Sequence, residues 1–173
     1  MELVTPRLRL RRARPDDLEA LFGILSDPEA MRYWSTPPHA DRSVTSAWLD
    51  RRLGELAAGA DDWLITLDGE VIGEVGGSTP PEFGFIIARP HWRRGYALEA
   101  TTAFLDKAFG IDGRELVTAD VDPRNTGSLA VLDRLGFAET GRAEKTFELA
   151  DGWSDSIYFA LSRAEWLARQ QPG

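Results

Sequence analysis

The sequence contains no cysteine and only two histidines, His39 and His91, far apart along the chain. That excludes disulfides, thiolate catalysis and cysteine-based metal sites. It also leaves too few histidines for a histidine-rich centre, so no metal is expected. No run approaches the ~18–20 consecutive apolar residues that span a bilayer. The opening residues Met1 to Arg7 lack the basic-then-apolar order of a signal peptide, so a cytoplasmic location with no membrane partner is expected. Basic charge is also scarce: 20 Lys and Arg stand against 28 Asp and Glu, for a formal net charge of -8. Nucleic-acid binders usually carry a basic excess, so nucleic acid is not an expected partner. An acidic surface weakly favours cationic ones.

What is present fits one ordinary domain over residues 1–173, with 43% hydrophobic and 28% charged residues. Leu8 and Leu10 alternate with Arg7, Arg9 and Arg11, which predicts a strand. Pro15-Asp16-Asp17 opens a helix with Leu18, Leu21, Phe22 and Leu25 on one face. A second helix is predicted over 43–58, and the Pro-containing stretch 27–42 reads as a loop. Two apolar runs, 63–67 and 70–75, flank Asp68-Gly69, a strong hairpin signal. Further predicted elements are a strand over 82–89, a helix over 98–109 and a strand over 117–121. A short helix over 128–135 is closed by Gly136. A second hairpin joins 145–149 to 156–161 through Ala150-Asp151-Gly152-Trp153, and a last helical turn holds Trp166. The class is α+β: a mixed, mostly antiparallel sheet with helices on both faces.

The most informative segment runs from Pro90 through His91, Trp92, Arg93, Arg94, Gly95, Tyr96, Ala97, Leu98 and Glu99 to Ala100. It lies between a predicted strand and an amphipathic helix. A helix start presents unpaired N–H groups and a positive dipole end, which suits a phosphate. Gly95 permits close backbone approach, and Arg93 and Arg94 add positive charge. A basic surface helix start would look the same. The second segment, Asp122-Pro123-Arg124-Asn125-Thr126-Gly127-Ser128, follows the next strand. Taken alone it is a turn with Ser128 as a helix N-cap.

Together, Trp92 to Ala100, Asn125 to Ser128 and Leu135-Gly136-Phe137 resemble the GNAT superfamily of N-acetyltransferases. More narrowly they resemble its RimJ/RimL-type branch, which acetylates the N-termini of ribosomal proteins. Thr5 to Arg11, Ser26 to Glu29, Asp151 to Asp155, Ala160-Leu161 and Glu165-Trp166 extend the resemblance over essentially the whole chain. It implies a splayed central strand pair that admits the pantetheine arm of acetyl-CoA, the expected cosubstrate. Backbone amides of Arg93, Arg94, Gly95, Tyr96 and Ala97 would grip the pyrophosphate. Ile86 and Ile87 would pair with pantetheine, and Asn125 would contact the coenzyme. An amide at the splay would stabilise negative charge developing on the thioester oxygen.

The expected reaction is acetyl transfer to a primary amine, on a peptide or protein N-terminus or a small molecule, by direct attack. No nucleophile with an adjacent base is visible. The amine must lose a proton, and Glu82 is the favoured base, with Asp120 and Glu74 as rivals. Many relatives carry a tyrosine acid where this chain has Leu132, which leaves Ser128 as the candidate. Glu99 reads as a favourable charge in a first helical turn. Tyr33 and Trp34 either border the acceptor site or cap the core. The competing functions are acetylation of an antibiotic or polyamine, and a coenzyme A-binding regulatory domain without turnover. A homodimer is left open.

Overall fold

The computed structural model describes residues 1–149 and 152–170. Strands β1 (Leu3–Val4), β2 (Arg9–Arg11), β3 (Asp61–Leu67), β4 (Glu70–Gly77) and β5 (Gly84–Ile87) form one antiparallel sheet in that order. Strands β6 (Leu116–Val121), β7 (Ala138–Leu149) and β8 (Gly152–Ser162) form a second, ordered β6-β8-β7. The helices are α1 (Leu18–Leu25), α2 (Arg42–Ala57), α3 (Tyr96–Asp106), α4 (Thr126–Leu135) and α5 (Arg163–Gln170).

Local chemistry accounts for most of these boundaries. Asp68 and Gly69 both take positive φ, 51° and 91°, as a two-residue hairpin turn requires. Asp41 caps α2 by accepting from the amides of Ser43 and Val44. The Asp17 carboxylate accepts from the Arg14 amide at 2.7 Å, within a 3-10 turn over Pro15–Asp17 that leads into α1.

Four boundaries depart from the sequence expectation. The strand expected over 82–89 contracts to β5, because Glu82 makes only an isolated parallel bridge to Thr118. Helix α3 starts at Tyr96 and stops at Asp106, then widens into a π turn over Lys107–Ile111. Buried Lys107 sits in that turn and reaches both Asp61 at 2.8 Å and Asp112 at 2.6 Å. Ser128 is not the N-cap of α4. Asn125 is, and its side chain accepts from the Ser128 amide at 3.1 Å. Finally, β7 and β8 are longer than the predicted hairpin arms. Of its turn, Ala150 and Asp151 lie outside the described residues.

Helices pack on both faces. One core gathers Leu21, Ile24 and Leu25 of α1 and Leu49 of α2 against Leu64 and Ile86. The other sets Phe104, Leu105, Leu132 and Trp166 against Ile65, Val75, Phe83 and Val117. The segment just ahead of β5 meets β6 at Thr118. The Phe83 amide donates to Thr118 O at 2.9 Å, and the Thr118 amide to Pro81 O at 3.0 Å. Past that point the two strands diverge into separate sheets. Phe83 is wedged behind the junction, stacked on Phe104 at 5.4 Å and Phe137 at 5.6 Å.

Beneath α2, Arg52 pairs with Asp62 at 2.9 Å and with Glu74 at 2.7 Å. One guanidinium thus faces two buried carboxyls. Burial, and then the Asp62 carboxylate, push Glu74 up to about 8. The folded protein therefore holds a proton that the unfolded chain loses near the ordinary glutamate value of 4.5. Stability from this group is complete below that value and is lost as pH rises towards about 8. Glu74→Gln keeps a neutral partner there. It should flatten the fall in melting temperature across that interval. A slope equal to wild type in melting curves would count against this account.

Candidate active site

The divergence of β5 and β6 opens a cleft of about 700 Å3. The start of α3 forms one wall. Gly95 precedes it in the left-handed region, with φ 80°, and no side chain caps the helix. Arg93 is also left-handed, with φ 58°. An uncapped helix start leaves first-turn amides for a ligand, and the helix dipole adds partial positive charge there. Arg93, Gly95, Tyr96 and Ala97 all line the cleft. Tyr96 is largely buried, with the Arg7 guanidinium over its ring.

Strand alternation fixes which backbone groups of β5 face the gap. The Phe83 amide points to β6, and the Ala88 amide donates to Ile72 O in β4 at 2.8 Å. Phe85 and Ile87 therefore turn their backbone towards the gap, while Ile86 turns its own towards β4. The Ile87 carbonyl is already engaged by the Trp92 indole N–H at 2.6 Å. Of the expected pantetheine partners, Ile87 has the required orientation and Ile86 contributes a lining side chain. Phe85 lines the cleft too. Its role was missed because alternation has no phase until one pairing is known.

Asn125 and Ser128 lie on the other wall, at the start of α4. The cap uses the Asn125 carbonyl and the Ser128 amide, which leaves the Ser128 hydroxyl outside the cap. Leu132, where a tyrosine was considered, is fully buried in the core.

The three candidate carboxylates separate cleanly. Glu74 is buried under α2 against Arg52 and is not part of the cleft wall. Its burial and its pairing with Arg52 count against it as the base. Asp120 lines the cleft; Glu82 stands outside the lining, exposed at the β5–β6 junction next to the lining residue Phe83. Burial and then the Asp120 charge raise the Glu82 pKa above its ordinary value. Burial raises Asp120 as well, against a hydrogen bond from Ser156. Asp122 behaves differently. Burial works to raise it, but hydrogen bonds from Arg124 at 2.7 Å and Ser154 at 2.6 Å outweigh burial and hold it below the usual range.

Tyr33 and Trp34 line the cleft half-buried. Trp34 also packs on the α1–α2 core, so it serves as wall and cap together. The Arg124 guanidinium sits 5.8 Å from the Tyr33 ring centre.

No helix among the described residues is long and apolar enough to cross a membrane. The uncapped α3 start, the left-handed Gly95 and the open β5 backbone all fit a coenzyme with a pyrophosphate and a thin amide-bearing arm.

Residues 7–138 match the family model of the acetyltransferase (GNAT) domain. The uncharacterized protein YkkB of Bacillus subtilis is 34% identical over 146 residues, covering 78% of this chain and 84% of its own. The uncharacterized N-acetyltransferase p20 of Bacillus licheniformis is 28% identical, covering 95% and 97%. A GNAT-family acetyltransferase from Bacillus anthracis superposes with a TM-score of 0.84 at 23% identity, covering 95% of this chain and 100% of that one. A spermidine N-acetyltransferase from Vibrio cholerae, solved with CoA and spermine, superposes with a TM-score of 0.82 at 20% identity, covering 94% and 99%. A ribosomal-protein alanine acetyltransferase from Vibrio fischeri does so with a TM-score of 0.79 at 18% identity, covering 99% and 100%. The last three likenesses speak to the fold. With a family model spanning most of its length and an uncapped helix start beside a splayed strand pair, the chain belongs to the GNAT family and is an acetyl-CoA-dependent N-acetyltransferase.

Proposed function

We propose that this chain, a single cytoplasmic domain, acetylates a cationic primary amine by direct transfer. The acceptor is the α-amine of a peptide or protein, as in the RimJ/RimL-type branch that the sequence resembles, or a small amine such as a polyamine. The observation that carries this is the Glu82–Asp120 pair beside the cleft. Two adjacent carboxylates attract an ammonium, and their raised pKa values suit a group that must take its proton.

Acetyl-CoA supplies the acetyl group as a thioester. Gly95, Tyr96 and Ala97 would hold the pyrophosphate through backbone amides, with Arg93 and Arg94 adding charge. The Ile87 amide, turned into the gap, would donate to the oxygen that gains negative charge. Glu82 would accept the ammonium proton, with Asp120 tuning it. Tyr33 and Trp34 would enclose the acceptor's carbon frame. Ser128 would direct its hydroxyl towards the departing sulfur, a modest task because thiols ionise near ~8.5.

Thiol release from acetyl-CoA with a panel of α-amino peptides, polyamines and aminoglycosides tests the function. Turnover with a cationic amine is expected. Coenzyme binding without turnover on any amine would instead favour a regulatory domain, and a neutral or acidic preferred acceptor would remove the role of the carboxylates.

Glu82→Gln should lower kcat by ~10²-fold or more, as for loss of a general base. Asp120→Asn removes the charge that raises Glu82, so the acidic limb of the pH–rate profile should move to lower pH. If Asp120→Asn abolishes the limb while Glu82→Gln leaves it in place, the base is Asp120.

The cap geometry separates Asn125 from Ser128. Asn125→Ala should lower stability by ~0.5–2 kcal/mol, the range for a lost N-cap. Ser128→Ala should melt like wild type and lose kcat at near-normal acetyl-CoA affinity. Earlier melting with normal turnover in Ser128→Ala would contradict the assignment.

A further inference from the structure

The loop that would receive the pyrophosphate is held from behind by a residue distant in sequence. Arg7 lies between β1 and β2, and its guanidinium makes three kinds of contact with the segment 94–99. Its Nε donates to Glu99 at 2.7 Å and Nη2 pairs with the same carboxylate at 2.6 Å. Nη1 donates to the Arg94 carbonyl at 2.9 Å. The guanidinium carbon stands 4.6 Å from the centre of the Tyr96 ring. The Arg7 amide also donates to Glu99 at 2.9 Å, and the Thr5 hydroxyl donates to it at 2.6 Å. Nη2 lies 3.3 Å from where a side chain at Gly95 would begin.

Contacts of this kind have a specific consequence. Arg93 and Gly95 are both left-handed, a conformation that a non-glycine residue seldom takes unaided. Fixing the Arg94 carbonyl between them restricts the peptide planes that orient the amides on either side. The planar fork can satisfy Glu99 and Arg94 together, and a lysine ammonium cannot match that geometry. Arg7 is itself exposed, its side chain 46% accessible, so its effect on global stability should be small.

We infer that Arg7 is a positioning residue for the coenzyme: through Glu99 and the Arg94 carbonyl it sets the loop from Arg93 to Ala97 in its anion-binding conformation. The inference rests on that loop being the pyrophosphate site.

The test compares two acetyl donors, acetyl-CoA and acetylpantetheine, which lacks the nucleotide and its phosphates. Arg7→Ala should raise KM for acetyl-CoA and weaken CoA binding in calorimetry by about tenfold or more, with kcat nearly unchanged. It should leave KM for acetylpantetheine at the wild-type value. Arg7→Lys should recover part of the loss, and Glu99→Gln should move acetyl-CoA in the same direction by less. If Arg7→Ala folds poorly, these two variants carry the same comparison. An equal penalty on both donors would reduce Arg7 to a structural residue and overturn the inference. Wild-type CoA affinity in Arg7→Ala overturns it alone. Wild-type protein that binds CoA no better than pantetheine overturns the loop assignment, and the inference with it.

Discussion

The single parallel bridge between Glu82 and Thr118 is the constraint on which the site depends. Two backbone hydrogen bonds tie the residues just ahead of β5 to Thr118 of β6, and beyond them the two strands pair within separate sheets. Phe83 keeps the junction from sliding. Its ring lies between Phe104 of α3 and Phe137, just beyond α4, so both helices are registered to the point where the strands part. The α3 and α4 starts therefore meet the cleft from either side. Continued pairing of β5 with β6 would close the cleft and consume the backbone groups of Phe85 and Ile87.

Charge is sorted across the cleft. Arg93 and an uncapped helix start line one wall, and Asp120 and Asp122 line the wall at the end of β6. Two pairs of carboxyls, Asp62 with Glu74 away from the cleft and Glu82 with Asp120 at the β5–β6 junction, differ in whether an arginine stands over them. Arg52 occupies the space over Asp62 and Glu74 and locks them into the fold. Burial raises both Glu82 and Asp120, the Asp120 charge raises Glu82 further, and no comparable cation is among their principal influences. The same residue types are thus held by an arginine in one pair and lack one in the other, which is what the proposed proton transfer requires.

Local features were the most legible in the sequence. The Asp68-Gly69 hairpin, the Gly136 helix stop and the Gly95 turn each follow from backbone chemistry within a few residues. Phase and long-range pairing were not legible. The choice between Ile86 and Phe85 depends on which strand Phe83 bonds to. The case against Glu74 depends on Arg52, which reaches this strand residue from helix α2. The π turn after Asp106 contains Lys107, whose partner Asp61 is far along the chain. Ser128 looked like a cap because serine favours that position, but Asn125 lies three residues earlier and reaches the Ser128 amide first.

That last displacement bears on the division of labour between the two helix starts. Both α3 and α4 begin at the cleft, and both dipoles favour negative charge. They differ in capping. The α4 start gives an amide to the Asn125 side chain, so its capacity for an external anion is reduced. The α3 start has a glycine with no side chain to fold back over its amides. A pyrophosphate with several oxygens to satisfy belongs at α3, where the amides are open and Arg93 and Arg94 stand nearby. A smaller, transient charge such as a departing thiolate needs one donor and a modest dipole. The Ser128 hydroxyl, left out of the cap, would meet that need at α4 in the proposed mechanism. On the proposed reading, the position of one asparagine would orient the coenzyme along the cleft, with its phosphates at one helix start and its sulfur near the other.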